Sequence, residues 1–326
     1  MVVLSQPVAH VSFPTINSCN THLTQIPAVD LSNPNAKTQI VNACQEFGFF
    51  KVTNHRVPME TATKLEAQAL SFFQGPQIYK NKAAPFGYGN KNIGRKGDTG
   101  WVEYLLFGTN TELISQNSRT ILPNDFWLMV NKYLSAIRKM ACEILELMAN
   151  ELNLQPKNVW SRLLSDEKSD SFFRINHYPA SDKNELGFGE HTDPQIISVI
   201  RSNNASGLEI ALKDGTWVQV PPDPDSFFIT VDDCLQVMTN GRFRSVKHRV
   251  ITESLKERIS MIYFGGPPLS EKIAPSTSLM QGKESLYKEF TWDEYKKAAF
   301  NTNLAFNRIS FFQKSPCSFY QVNPTN

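Results

Sequence analysis

The sequence predicts an α+β fold, with an antiparallel β-sandwich or barrel in the C-terminal half and a helical N-terminal half packed against it. Three observations carry this expectation. The hydrophobic period changes from 3.6 to 2 beyond Ser171. Seven short apolar runs then succeed one another, separated by turn residues. Just before that change, Leu134, Ile137, Ala141, Ile144, Leu145, Met148 and Leu152 form one apolar stripe over several helical turns. With 326 residues, 41% of them hydrophobic, the chain is long enough to bury a large core.

Along the chain, residues 1–25 are polar and rich in Ser, Thr, Asn and Pro, and read as a flexible segment on the surface. From Ile26 the pattern is short strand, helix, strand. Asn33-Pro34 supplies an N-cap and a first-turn proline, Ile40, Val41, Cys44 and Phe47 recur at helical spacing, and Gly48 stops the helix. Residues 49–52 read as a buried strand, and Pro58 opens a second helix carrying Leu65, Ala69 and Phe72. A glycine-rich loop spans 86–100. Residues 26–120 make up the N-terminal part of the chain. Residues 121–326 hold a long helix from near Pro123, the β core, and a C-terminal helix over 283–301. Strands are expected at 172–178, 195–201, 207–211, 216–220, 226–232, 245–251 and 258–264. Asp214-Gly215 and Asn240-Gly241 are both hairpin dipeptides. This N-terminal part and the core are expected to fold as one compact unit.

Composition excludes several classes of function. Lys and Arg total 33 against 31 Asp and Glu and are spread along the chain, which gives no electrostatic footing for nucleic acid or an anionic membrane. The cysteines, Cys19, Cys44, Cys142, Cys234 and Cys317, are far apart and form no Cys-x-x-Cys pair. That argues against a disulfide scaffold or a zinc cluster and for a reducing compartment. The first residues lack the basic start and apolar run of a secretory signal, and no apolar stretch approaches the roughly 18 residues of a membrane span. A soluble, cytoplasmic protein is expected, of unspecified oligomeric state.

The chemistry is concentrated around Gly187-Phe188-Gly189-Glu190-His191-Thr192-Asp193-Pro194. In extended backbone His191 and Asp193 leave the same face, and His248 lies on a later strand. Two imidazoles and a carboxylate fill three positions of an octahedron and leave the opposite face open, as non-haem Fe(II) requires for oxygen chemistry. A His-x-Asp pair alone is usually a hydrogen-bonded surface pair, and His10, His22, His55 and His177 have ordinary polar-segment, loop or core explanations. The strand after His248 adds weight. Arg258 and Ser260 share one of its faces, and a guanidinium fork with a hydroxyl suits a carboxylate. Arg174, Asn176 and Tyr178 alternate onto one face upstream, Tyr178 offering a phenol to that carboxylate and Asn176 an amide nearby. A zinc hydrolase is disfavoured, since no His-Glu-x-x-His helix supplies a base.

Longer stretches carry a resemblance. They are Ile26-Pro27-Ala28-Val29-Asp30-Leu31, Ala43-Cys44-Gln45-Glu46-Phe47-Gly48-Phe49-Phe50, Pro85-Phe86-Gly87-Tyr88-Gly89-Asn90-Lys91, Gly100-Trp101-Val102-Glu103-Tyr104-Leu105-Leu106 and Phe173-Arg174-Ile175-Asn176-His177-Tyr178-Pro179, with 190–204, 235–250 and 269–292. Over nearly its whole length the chain resembles the plant 2-oxoglutarate- and Fe(II)-dependent dioxygenases, and among them it is most similar to the gibberellin 2-oxidases. The resemblance implies a double-stranded β-helix (jelly roll) with flanking N-terminal helices and a C-terminal helix, and an N-terminal module over residues 26–120. It implies Fe(II) on His191, Asp193 and His248, and 2-oxoglutarate on Arg258, Ser260, Tyr178 and Asn176, with O2 as second cosubstrate. The implied substrate is a small-molecule gibberellin, hydroxylated at the 2β position and thereby inactivated, as hormone or precursor. Candidate substrate contacts are Asn92, Arg95, Tyr104, Phe188 and Phe300.

The sequence departs from the family pattern at four points. Arg56 stands where glycine is usual, Asp232 replaces the glycine of Val-Gly-Asp, Asn92 interrupts a Lys-Arg-Ile-Gly run, and Phe300 stands where tyrosine is frequent. A side chain at a glycine position is expected to strain the backbone. These departures leave the iron and cosubstrate positions intact and bear instead on stability and substrate preference. Two alternatives share the pattern: a same-fold dioxygenase acting on another plant metabolite such as a flavonoid, and an inactive relative that only binds a ligand.

Overall fold

Alternation along residues 172–178 decides where everything else goes. Phe173 and Ile175 point into one apolar cluster, while Tyr178 belongs to a second cluster on the opposite face of the sheet. The computed structural model describes residues 26–82, 87–90, 100–109, 122–180, 185–252, 256–280 and 282–314. Among them, eight strands form the larger sheet. They are β1 (Ala28–Asp30), β2 (Phe49–Thr53), β3 (Tyr88–Asn90), β4 (Glu103–Gly108), β5 (Phe172–Tyr178), β7 (Ile197–Ser202), β10 (Phe227–Val231) and β12 (Arg258–Gly265), in the spatial order β1-β2-β10-β7-β12-β5-β4-β3. The smaller sheet holds β6 (Glu185–His191), β11 (His248–Thr252), β8 (Leu208–Ala211) and β9 (Trp217–Gln219), in that order.

Phe188, Leu208, Val218 and Val250 of the smaller sheet pack with Phe49, Ile200 and Phe228 of the larger one, so the two sheets enclose a core between them. The outer face of the larger sheet is covered by helices α1 (Ala36–Glu46), α2 (Met59–Phe73) and α4 (Asn124–Glu151). Three short helices, α3 (Gln77–Lys82), α5 (Ser161–Ser165) and α7 (Thr277–Met280), lie between the longer elements in the chain. In α4 the expected stripe is buried from Leu134 to Met148. This is the jelly roll with helical cover that the sequence led us to expect. The N-terminal strands are not an appendage: β2 pairs with β10, and β4 with β5. Among the described residues no helix is long and apolar enough to cross a membrane.

All seven expected strand runs contain a strand, and Asp214-Gly215 turns the hairpin between β8 and β9. Asn240-Gly241 does not turn a hairpin. It ends a helix that periodicity missed, α6 (Asp233–Met238), with Asn240 and Gly241 both at positive φ and the Gly241 N–H donating to the Gln236 carbonyl at 2.8 Å. Both structures need left-handed backbone, so the dipeptide alone does not distinguish them. Nor does Asn33 cap α1: its side chain accepts the Asn35 N–H at 2.8 Å, and the helix starts at Ala36. The C-terminal helix, α8 (Trp292–Asn301), is shorter than expected because Thr291 and Glu294 close a capping box at its start. In α2 the buried aromatic is Phe73, four residues on from Ala69, and Phe72 is only partly covered.

The two glycine-position departures behave differently. Arg56 adopts φ 58°, a conformation in which an L side chain is strained, and its guanidinium reaches Glu143 at 3.5 Å on the surface. Replacing Arg56 with glycine should therefore raise stability by about 1 kcal/mol, read as a rise in Tm of about 2 °C. Asp232 sits at φ −105° and ψ 173°, extended backbone that any residue adopts, so the strain expected there is not found.

Candidate active site

β6 ends on His191, and β11 begins on His248 directly opposite it. The register brings the two imidazole centroids to 4.2 Å. Asp193 lies past the end of β6, in a loop rather than in the extended strand that the spacing suggested. It nevertheless reaches both rings, with His191 Nε2 at 3.5 Å from Oδ1 and His248 Nε2 at 3.8 Å from Oδ2. The loop is held by three contacts from two segments. The Asp233 N–H donates to the Asp193 carbonyl at 2.8 Å, the Cys234 N–H to the Gln195 carbonyl at 2.9 Å, and the Arg308 guanidinium to the Thr192 carbonyl.

Each imidazole is oriented from behind. His191 Nδ1 lies 2.7 Å from the Gly189 carbonyl and His248 Nδ1 3.2 Å from the Val246 carbonyl. A carbonyl only accepts, so both Nδ1 atoms carry hydrogen and both Nε2 lone pairs face Asp193. Burial, reinforced by the neighbouring His191, pushes His248 down to about 4, so it stays neutral at physiological pH. Burial raises the Asp193 carboxyl, but His248, His191 and the Ser198 hydroxyl outweigh it and hold the group below the usual carboxylate range. One ligand atom from each of the three residues fits within a 4.8 Å cluster. Two imidazoles and one carboxylate, each at most 9% exposed, suit a divalent first-row metal with further positions open.

Behind Asp193 lies a second buried carboxyl. Ser198 Oγ is 3.0 Å from Asp193 Oδ2 and 2.7 Å from Asp232 Oδ2, and Thr230 Oγ1 donates to Asp232 Oδ1 at 2.7 Å. Ser198 Oγ thus links the two buried carboxyls. Burial first, and then the Asp193 charge, push Asp232 well above its ordinary value. An acid whose folded pKa is raised costs stability once pH exceeds its unfolded value, near 3.8. Asp232→Asn should accordingly gain stability relative to the parent as pH rises from 4 toward neutrality, and urea denaturation of the metal-free proteins across that range measures it.

Between the sheets a cavity of about 360 Å³ opens beside the three ligand candidates. At one end Arg258 stands opposite Tyr178, and Ser260 opposite Asn176, on paired strands. Arg258 is 4% exposed, yet among the described residues its Nε and Nη1 have no partner, and neither has the Tyr178 hydroxyl. A buried guanidinium and phenol left unpaired are costly unless an anion meets them, and a carboxylate fits both. Gly187 is needed here, because a Cβ on it would lie 2.7 Å from the Tyr178 ring. Asn176 Oδ1 accepts from Arg174 Nε at 2.7 Å, which leaves its amide hydrogens as donors.

Of the expected substrate contacts, Tyr104 and Phe188 line the cavity, Phe188 with its ring centroid 4.5 Å from that of His191. Phe300 lines it from α8 and is 71% exposed, placing it at the rim. Asn92 and Arg95 lie outside the described residues. Sequence reasoning missed Ser198, Asp232 and Arg308 as supports of the site.

His177, read as an ordinary core or loop histidine, instead joins an ion network on the reverse face of β5. Its Nδ1 meets Glu103 and its Nε2 meets Glu257, each at 3.0 Å, while Lys80 and Tyr88 donate to Glu103 at 2.7 and 2.8 Å. Burial raises Glu103, but those bonds outweigh it and hold the carboxyl at about 2. The stability it lends is present above pH 4.5 and is lost as pH falls toward 2. Glu103→Gln should cost about 3 kcal/mol, since it leaves Lys80 buried without its counter-charge; a lowered urea midpoint at pH 7 reads this.

Comparison with known proteins agrees with this geometry. Residues 169–267 match the model of the 2OG-Fe(II) oxygenase superfamily, and 26–128 match that of the non-haem dioxygenase in morphine synthesis N-terminal family. The gibberellin 2-beta-dioxygenase of Phaseolus coccineus is 57% identical, covering 97% of this chain and 99% of its own. Gibberellin 2-beta-dioxygenase 1 of Pisum sativum is 54% identical over 96% of this chain and 99% of its own. Among solved structures, JOX2 in complex with 2OG, Fe and JA superposes with a TM-score of 0.83 at 26% identity, covering 95% of this chain and 96% of that one. The rice dioxygenase for auxin oxidation shares the fold, with a TM-score of 0.75 at 24% identity over 89% of this chain and 100% of that one. Likeness at this level over almost the full length of both partners places the chain in the gibberellin 2-beta-dioxygenase family of Fe(II)- and 2-oxoglutarate-dependent oxygenases.

Proposed function

We propose that this enzyme 2β-hydroxylates gibberellins and so inactivates the hormone or its precursors. His191, Asp193 and His248 hold Fe(II), while Arg258, Ser260 and Tyr178 grip the outer carboxylate of 2-oxoglutarate, with Asn176 beside them. The observation that carries this reading is the pairing of an open three-ligand face with a buried, unpartnered Arg258 in one cavity. When bound, iron and 2-oxoglutarate supply the oxidising power, converting O2 and 2-oxoglutarate to succinate and CO2 as one oxygen atom enters a C–H bond. The side chains present the ligands, orient the substrate and keep the cavity dry, and no residue need act as acid or base.

Tyr104, Phe188 and Phe300 form the apolar wall for a rigid diterpenoid, and Asn92 and Arg95 belong to the same candidate set. Residues 26–120 and 121–326 act as one unit, a reading supported by the shared sheet. The dispersed cysteines support a cytoplasmic enzyme, and the near-even charge balance supports one without nucleic-acid or anionic-membrane partners. The test is incubation of purified protein with Fe(II), 2-oxoglutarate and a gibberellin panel, with products assigned by mass spectrometry and NMR. A 2β-hydroxylated product with matched succinate release is expected. Turnover of flavonoids with silence toward gibberellins, or gibberellin binding without oxygen consumption, would overturn the reading.

A further inference from the structure

Arg174 occupies the middle of β5 on the face that lines the cavity. Its guanidinium carbon lies 4.1 Å from the centroid of the Tyr104 ring and 5.2 Å from that of Phe188. Among the described residues only Nε is spent locally, on Asn176 Oδ1. Among the described residues no carboxylate comes within 4.0 Å of it to form an ion pair. Burial pulls Arg174 below its ordinary pKa, and Tyr178, Tyr104 and Asp193 return only part of that cost. A cation enclosed by two aromatic faces and lacking a counter-ion is expensive unless an anion arrives from the cavity.

The other cations lining the cavity have work elsewhere. Lys296 pairs with Asp170 at 2.6 Å, and Arg308 donates to the Thr192 carbonyl beside Asp233. Arg258 faces the cosubstrate end. In the β5–β12 register Arg258 is opposite Tyr178, whereas Arg174 is opposite Ile262. Four residues of strand, about 13 Å, therefore separate the two positions. A five-carbon diacid anchored at Arg258 and turned toward the metal ligands leaves Arg174 free for a second acid.

We propose that Arg174 binds the carboxylate of the organic substrate, with Tyr104 and Phe188 fixing the guanidinium plane so that its free Nη edge meets the acid. This rests on the functional reading above, in which the cavity takes a small-molecule acid besides 2-oxoglutarate. Arg174 is thus a specificity residue that selects acids and orients them relative to the metal ligands.

The experiment compares the parent enzyme, Arg174→Met and Arg174→Lys on a monocarboxylic gibberellin and on its methyl ester, with KM for 2-oxoglutarate measured alongside. In Arg174→Met, KM for the free acid should rise about 30-fold, as expected for a lost charge-assisted bond. KM for 2-oxoglutarate should stay within about twofold. The methyl ester should be a poor substrate of the parent and no poorer with the methionine variant, while Arg174→Lys, which keeps the charge, should recover part of the loss. Should Arg174→Met fail to fold, Arg174→Lys carries the test through the same acid-to-ester ratio, which must fall. Equal losses on acid and ester, or a raised KM for 2-oxoglutarate in place of the acid, would overturn the inference. A parent enzyme inert toward every gibberellin acid would remove the functional reading and this inference together. Parent turnover with unchanged KM in both variants would remove this inference alone.

Discussion

His191→Ala should abolish substrate-dependent succinate release, with kcat/KM expected to fall at least about a thousandfold, because metal-ion activation of this kind is worth several kcal/mol. Three protein ligands are the minimum that holds the ion while leaving room for cosubstrate and oxygen, so removing one costs occupancy as well as rate. His191 is also fixed in place, with its Nδ1 at the Gly189 carbonyl and its ring against Phe188. Alanine therefore leaves a hole that neighbouring side chains cannot fill with a donor. Iron content of the purified variant should fall in parallel with activity. A variant that keeps both iron and coupled turnover would show that the ion sits elsewhere.

Arg258→Met should raise KM for 2-oxoglutarate about a hundredfold, the loss expected for a buried, charge-assisted pair. On the proposed reading, Arg258 Nε and Nη1 and the Tyr178 hydroxyl, which lack partners among the described residues, serve one carboxylate, so Tyr178→Phe should show a smaller loss in the same parameter. KM for the gibberellin should change little in either variant. If gibberellin binding falls and the cosubstrate KM does not, the two ends of the cavity have been assigned the wrong way round.

The β core was legible where short apolar runs stood between turn residues, and seven strands fell on such runs, whereas β6, which carries His191, was not marked by one. The ligand candidates were legible for a related reason, since residue type and order along the chain constrain them before any fold is known. The supports that escaped were set by contacts between distant segments. Ser198 is one more small residue in an apolar strand until Asp193 and Asp232 close on it from either side. Arg308 comes after a stretch without periodicity, and nothing local marks it as the residue that braces the Thr192 carbonyl. The glycine departures show the same limit. Residue identity flagged both positions, yet only backbone angles separate a strained Arg56 from a relaxed Asp232.

The order of the larger sheet has a practical consequence. The strands that bear or flank the candidate chemistry run β10-β7-β12-β5, with β2 closing one side and β4 the other. A fragment trimmed to the catalytic half would bare both flanks, each a row of unsatisfied backbone donors and acceptors in an apolar strand. Such a fragment should self-associate by edge-to-edge pairing on expression, so the N-terminal strands also serve this enzyme as guards of its solubility.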